Sequence, residues 1–188
     1  GLLPGVVSGH RGGSSMMFHM KKLFERVLVI RIRQVCSRLG DGSLSVVLQG
    51  PIRSLATSGF GLKPDISVII GNDCLAIFDA KWKQIDLRGS NSGVAGSDAY
   101  QMNAYASRYR CKRLALVYPA TCDLKPGKID EFELMTPGRP VLYVLAVDVQ
   151  KLASDNGMPA SIVRMILASL PVGALLTPRF VVVYERPS

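Results

Sequence analysis

Two short apolar runs, "ISVII" at 66–70 and "LAIF" at 75–78, flank Gly71-Asn72-Asp73-Cys74, and this hairpin signal constrains the fold more than any other stretch. Ile66, Val68 and Ile70 with Cys74, Ala76 and Phe78 supply one apolar face, while Ile69, Leu75 and Ile77 supply much of the second. A hairpin on a protein surface alternates polar with apolar residues, so this one is expected inside a sheet covered on both sides. Yet Asp65, Asp79 and Lys81 stand at its open end, where burying charge is costly. With Asn72 at the centre of the turn, Asp65 and Asp79 face each other, their Cβ atoms about 4.5–5.5 Å apart. A two-residue loop would slip the pairing by one and leave the acids diagonal, still within reach of one ion. Lys81, two residues past Asp79, points to the same side. Two readings stay open. The charges mark a cleft in which a divalent cation relieves the repulsion, Mg²⁺ or Mn²⁺ suiting hard carboxylate oxygens; or Asp65 caps a turn after Pro64 while Asp79 pairs with Lys81 or Lys83 as a strand-end salt bridge.

The remaining chain alternates helix and strand signals without repeats. Residues 1–13 are turn-rich and expected to be loose, and 14–188 are expected to form one domain, with the motif-bearing core at about 16–149. From a cap at Ser14 or Ser15, apolar Met16, Met20, Leu23, Phe24, Val27, Ile30, Val35 and Leu39 predict a long amphipathic helix closed by Gly40. Strands are expected at 43–49, at 52–57, at 113–119 and at 141–149. Ser97 reads as the N-cap of a helix over "DAYQMNAYASRYR". Pro126, Gly127, Pro137 and Gly138 suggest an irregular excursion over 120–140, and a helix over 159–170 precedes a last strand at 179–186.

At 188 residues and 48% hydrophobic the chain can bury a sizeable core, and its formal charge of +9 suits a polyanion such as nucleic acid, or simply solubility. Cys36, Cys74, Cys111 and Cys122 form no CxxC pair, which argues against a zinc site or a disulfide framework and fits a reducing cytoplasm. "ILASLPVGALL" is broken by Pro171 and Gly173, so no membrane span is expected.

"PD" at 64–65 followed by "DAK" at 79–81 resembles the core motif of the PD-(D/E)XK nuclease superfamily. Taken in order, "MKKLFERVL", "LKPDISVII", "LAIFDAKWK" and "SDAYQMNAYASRYRCKRLALVYP" resemble the nuclease domain of McrC-type proteins, the endonuclease subunits of McrBC modification-dependent restriction systems. The likeness runs over residues 16–119 and more faintly through "VLYVLAVDV". It implies an α/β (α+β) restriction-endonuclease-like fold, a central mixed β-sheet flanked by helices, and metal-dependent hydrolysis of DNA phosphodiesters.

The resemblance also implies roles for single residues. Asp65, Asp79 and the backbone carbonyl of Ala80 would hold Mg²⁺ or Mn²⁺, and Lys81 would orient the attacking water and offset charge building on phosphorus. Glu25 matches the first-helix glutamate of many members and would reach the metal through a water; the alternative is surface pairing with Lys21, Lys22 or Arg26. Gln101 and Tyr105 match a Q-x-x-x-Y element, Gln101 binding a metal water or a phosphate and Tyr105 mainly packing, although both stand as candidate substrate contacts. Lys83 is a further candidate contact, Trp82 a core residue, and Asp98 a first-turn acid favoured by the helix dipole. A McrB-like AAA+ GTPase is the implied partner. McrC-type proteins engage it through a region ahead of the nuclease domain, and the short stretch before the first helix here points instead to a stand-alone nuclease, a fragment or a remnant. A homodimer is the other association considered, since cutting both strands commonly needs two sites. The competing function is a DNA-binding or assembly module that keeps the fold without cleaving.

Overall fold

Apolar runs without polar interruption can be buried only where both faces of a strand are covered, and that requirement organises the whole molecule. The computed structural model describes residues 10–39, 42–153 and 160–167. Strands β1 (Leu44–Leu48), β2 (Arg53–Ser54), β3 (Gly61–Leu62), β4 (Ile66–Ile70), β5 (Asp73–Ala80), β6 (Arg113–Pro119), β7 (Gly127–Glu133) and β8 (Val141–Val147) combine with helices α1 (His10–Leu39), α2 (Gly96–Tyr109), α3 (Val149–Ala153) and α4 (Ala160–Leu167). Six strands form one mixed sheet in the order β1-β4-β5-β6-β8-β7, while β2 and β3 pair separately as a small arm. β5, β6 and β8 run parallel; β1, β4 and β7 are antiparallel to their neighbours. This is the mixed sheet flanked by helices that the sequence leads one to expect.

Strand periodicity sends alternate residues of β5 to two cores. Ala76, Phe78 and Ala80 pack with Phe24, Leu28 and Ile32 of α1 and with Val163 and Ile166 of α4. Ile77 packs on the other side with Met102, Tyr105 and Tyr109 of α2. Asp79 and Lys81 share the parity of Ile77 and so face α2. Arg31, 8% exposed, ties α1 to α3 through its Nε–H to the Leu152 carbonyl at 2.7 Å.

Several expectations need correction. Helix α1 already includes His10, ahead of the serine caps, so of the segment expected to be loose at 1–13 residues 10–13 are helical and 1–9 lie outside the described residues; its two glycines cost about 1 kcal/mol each without forbidding a helix. Its buried stripe runs through Phe24, Leu28, Ile32 and Val35, leaving Leu23 and Ile30 half exposed. The 52–57 strand shrinks to Arg53–Ser54, paired only with Gly61–Leu62. Ala95, not Ser97, is the N-cap of α2, which places Ser97 and Asp98 in its first turn. The 120–140 excursion contains β7, an edge strand whose alternating charges suit a solvent-facing margin; its prolines and glycines mark the ends, not the interior. β8 stops at Val147 because Asp148 Oδ1 accepts the amides of Gln150 and Lys151, which starts α3. Helix α4, Ala160–Leu167, falls within the expected 159–170, whose remaining residues, like the last strand at 179–186, lie outside the described residues. Among the described residues, no helix is long and apolar enough to cross a membrane.

Candidate active site at the open end of the hairpin

The β4–β5 turn combines the two registers considered for it. A two-residue loop at Gly71-Asn72 pairs Ile70 with Asp73 and Ile69 with Cys74, then a bulge at Leu75 restores Val68 opposite Ala76 and Ile66 opposite Phe78. One step further along this restored register, Asp65 stands opposite Asp79. The bulge matters because a one-residue slip would turn a strand's side chains to the other face.

Asp79 is 3% exposed, and Asp65 Oδ2 accepts the Ala80 amide at 2.9 Å. Burial, then the Asp65 charge, push the Asp79 carboxyl up to about 6 against the pull of Lys81. Asp65 is also raised, by burial first and the Glu25 carboxylate second, opposed by the Ala80 amide. Lys81 Nζ lies 2.6 Å from Asp79 Oδ2 and 3.2 Å from Asp98 Oδ1. Burial pulls this amine down, but Asp79 and Asp98 outweigh it and hold the ammonium above the ordinary lysine range. The Lys81–Asp79 attraction acts on both partners; at Asp79 burial and the Asp65 charge outweigh it, whereas at Lys81 it prevails over burial.

Ala80 has a further role through its peptide plane. The Lys81 amide donates to Val117 O at 2.8 Å, toward β6, and in a planar trans peptide the Ala80 carbonyl points the opposite way, toward the Asp65 side. Two carboxylates and one carbonyl thus converge on one end of the hairpin. Ser67, next inward from Asp65 on the α2 face, has a buried Oγ with no hydrogen-bond partner. Among the described residues no group of three or more His, Cys, Asp or Glu side chains assembles to hold a metal. The donor set fits a hard divalent ion that keeps several waters, which is the habit of Mg²⁺, better than it fits an ion needing an all-protein cage.

Helix α2 supplies a directional relay. Lys81 Nζ donates to Gln101 Oε1 at 2.9 Å, Gln101 Nε2 donates to the Tyr105 hydroxyl at 2.9 Å, and that hydroxyl donates to the Lys63 carbonyl at 3.1 Å. Lysine has donors only, so it fixes the orientation of the Gln101 amide and everything after it. Gln101 and Tyr105 thereby connect Lys81 to the backbone just ahead of Pro64-Asp65. Tyr105 is 2% exposed, as its packing role requires.

Glu25 reaches the same region from α1 on the opposite face of the sheet. It is 5% exposed, accepts from Gln49 Nε2 at 3.0 Å and lies 3.6 Å from Lys21 Nζ. The Gln49 backbone N–H donates to the Asp65 carbonyl at 2.7 Å. The helical pairing with Lys21 is present, but the acid is buried toward Asp65 rather than spread on the surface. Trp82 turns to the α1 side against Phe24, ring centroids 5.3 Å apart, as a core residue would.

The sequence reading underestimated Asp98. It is 7% exposed, and its Oδ2 lies 2.6 Å from Lys83 Nζ while its Oδ1 faces Lys81. Burial raises this carboxyl, but Lys83 and Lys81 overcome that and hold it below its ordinary value. Lys83 is consequently committed to Asp98. The signal was available: Asp98, Gln101 and Tyr105 are spaced three and four apart, one face of α2. Gln49 was also missed, and no local pattern pointed to it.

Comparison with known proteins places this chain in a family. The family model described as "McrBC 5-methylcytosine restriction system component" matches residues 3–119. A search of curated proteins finds no match. Among solved structures, a chain from the "Refined half-complex from tetradecameric assembly of Thermococcus gammatolerans McrB AAA+ hexamers with bound McrC" is similar at 22% identity and a TM-score of 0.53. That match covers 79% of this chain but 33% of the other, so the protein spans about a third of its structural neighbour, and the likeness speaks for the fold. With the family match extending across most of the chain and through both motif aspartates, the protein belongs to the McrBC 5-methylcytosine restriction system component family.

Proposed function

We propose that this chain is a metal-dependent DNA endonuclease whose active site is the open end of the β4–β5 hairpin. The observation that carries the reading is a buried Asp79 set against a half-buried Asp65 that repels it, with an ammonium 2.6 Å from Asp79. Buried acids in such a position destabilise the protein unless a cation offsets them, and groups perturbed this way concentrate at functional sites. Asp65, Asp79 and the Ala80 carbonyl would hold Mg²⁺ or Mn²⁺. When bound, the ion would polarise a phosphodiester oxygen and lower the pKa of a water.

The chain's own residues would do the rest. Lys81, kept charged by Asp79 and Asp98, would donate toward oxygen charge developing on the phosphate, where a preorganised donor in a water-poor site contributes on the order of 10²–10³ in rate. Gln101 would keep Lys81 in register and present its amide near the scissile strand. Glu25 would add negative potential behind Asp65. The net charge of +9 favours a polyanionic substrate.

The neighbour's description names McrB AAA+ hexamers with bound McrC, and with the family match it supports a partnership between this chain and an AAA+ GTPase of McrB type. The site can be tested without that partner. Mn²⁺ titrated into the purified protein, followed by calorimetry or by loss of the free-ion EPR signal, should bind at one site that Asp79→Ala and Asp65→Ala abolish. Binding unchanged in both variants would remove the reading. Plasmid cleavage with Mg²⁺, alone and with the GTPase, then separates a nuclease from an inert module: Mn²⁺ bound at this site without cleavage under either condition would favour the module.

A further inference from the structure

We propose that Asp98 is a positioning residue, which draws Lys81 off Asp79 so that Asp79 can take a cation. The inference rests on the metal reading above and adds a part that reading does not need. Lys81 Nζ reaches Asp79 Oδ2 at 2.6 Å, Gln101 Oε1 at 2.9 Å and Asp98 Oδ1 at 3.2 Å. An ammonium has three donors, and each has its acceptor here. A cation at Asp79 competes with the shortest of these contacts.

The lysine side chain is only 15% exposed, so an ammonium that lost Asp79 with nothing else nearby would be a poorly compensated buried charge. Asp98 and Gln101 keep two of the three acceptors in place. They also hold the amine at the site instead of letting it swing to solvent, where it would no longer face the substrate.

The simpler role for Asp98 is to fasten α2 to the end of β5. Its Oδ2, 2.6 Å from Lys83 Nζ with the Tyr118 hydroxyl at 3.5 Å, already does that. The second oxygen is what the proposal concerns. Because it is turned to Lys81 and not to solvent, Asp98 couples the two lysines that follow Asp79, and the site contains a ready acceptor for the ammonium a metal displaces.

The test is a double-variant cycle read as Mn²⁺ affinity, independent of cleavage. Asp98→Asn should weaken Mn²⁺ binding about tenfold, the size of effect typical of residues behind metal ligands. In a Lys81→Met background the same substitution should change affinity less than about twofold, since no ammonium remains to be moved. Lys83→Met, which leaves Asp98 Oδ1 on Lys81, should bind as wild type does. A loss that persists undiminished without Lys81 would show that Asp98 acts on the cation directly through its charge, and would overturn the proposal. So would wild-type affinity in Asp98→Asn. If Asp98→Asn does not fold, Asp98→Glu takes its place, and failure of both to fold would assign Asp98 to the architecture alone. Wild-type protein that binds no Mn²⁺ would fail earlier, removing the metal reading together with this inference.

Discussion

The β4–β5 hairpin carries aspartates at both ends, and the two ends follow opposite rules. At the turn, Asp73 is exposed, Gly71 takes a φ of 55°, and nothing lies within 4 Å of where a Cβ on Gly71 would sit. At the open end, Asp79 is buried beside a second acid, and both carboxyls are raised above their ordinary values. The turn obeys local preference: a residue free to adopt positive φ, then polar groups in water. The open end breaks the preference that charge stays in solvent. Such departures persist where the surrounding structure enforces them, and they cluster at functional sites.

Substitutions at the open end should have the largest effect, and the largest of all is on function. Asp79→Ala is expected to lower DNA cleavage by on the order of 10³-fold or more, with DNA affinity unchanged or higher because a repulsive carboxylate is gone. A nicking assay paired with fluorescence anisotropy would measure both. Cleavage near the wild-type rate in this variant would mean that the contrast between the two ends has nothing to do with catalysis.

The second expectation concerns stability, and its sign is opposite. Asp79 binds its proton more tightly in the folded protein, with a pKa raised from 3.8 to about 6, so between those values the folded state carries more protons than the unfolded one. Stability contributed by this group is therefore present at low pH and lost as pH rises through that window. Asp79→Asn should stabilise the metal-free protein at pH 8 in EDTA by roughly 1–3 kcal/mol, and the gain should disappear toward pH 4. Urea melts of both proteins at the two pH values would decide it. A variant less stable than wild type at pH 8 would show that the Lys81 contact outweighs burial and the Asp65 charge together.

How much of this was legible in the sequence depends on whether a contact is local. The central hairpin, its coverage on both faces and the meeting of Asp65 with Asp79 follow from alternation and from one turn, so residues 65–81 could be read almost whole. The alignment of Gln101 with Tyr105 follows from helical spacing. The bulge at Leu75 could not be read, because a two-residue turn plus one extra residue leaves the same outer register as a three-residue turn. Gln49 joins Glu25 to Asp65 across three elements, and no periodicity encodes that. β7 was hidden because charges on both of its faces lower its strand signal, although an edge strand tolerates them. Asp98 was misjudged for a different reason: the dipole of α2 gives a first-turn acid a sufficient local explanation, and the two lysines it meets lie on another element.

The turn end offers the smaller effects. Gly71→Ala should cost about 1 kcal/mol from backbone strain alone, since no neighbour obstructs the added methyl group. It should leave cleavage intact, and its urea midpoint should shift equally at pH 4 and pH 8, unlike that of Asp79→Asn. The smallest expected change is Asp73→Asn, within about 0.5 kcal/mol at either pH, because an exposed side chain stays in water through folding. This last variant is the sharper control despite its size. It removes the same chemical group as Asp79→Asn, from the same strand, seven positions before the end of β5. If Asp73→Asn also stabilised the protein at pH 8 and not at pH 4, relief of overall charge would account for both results, and burial at the open end for neither.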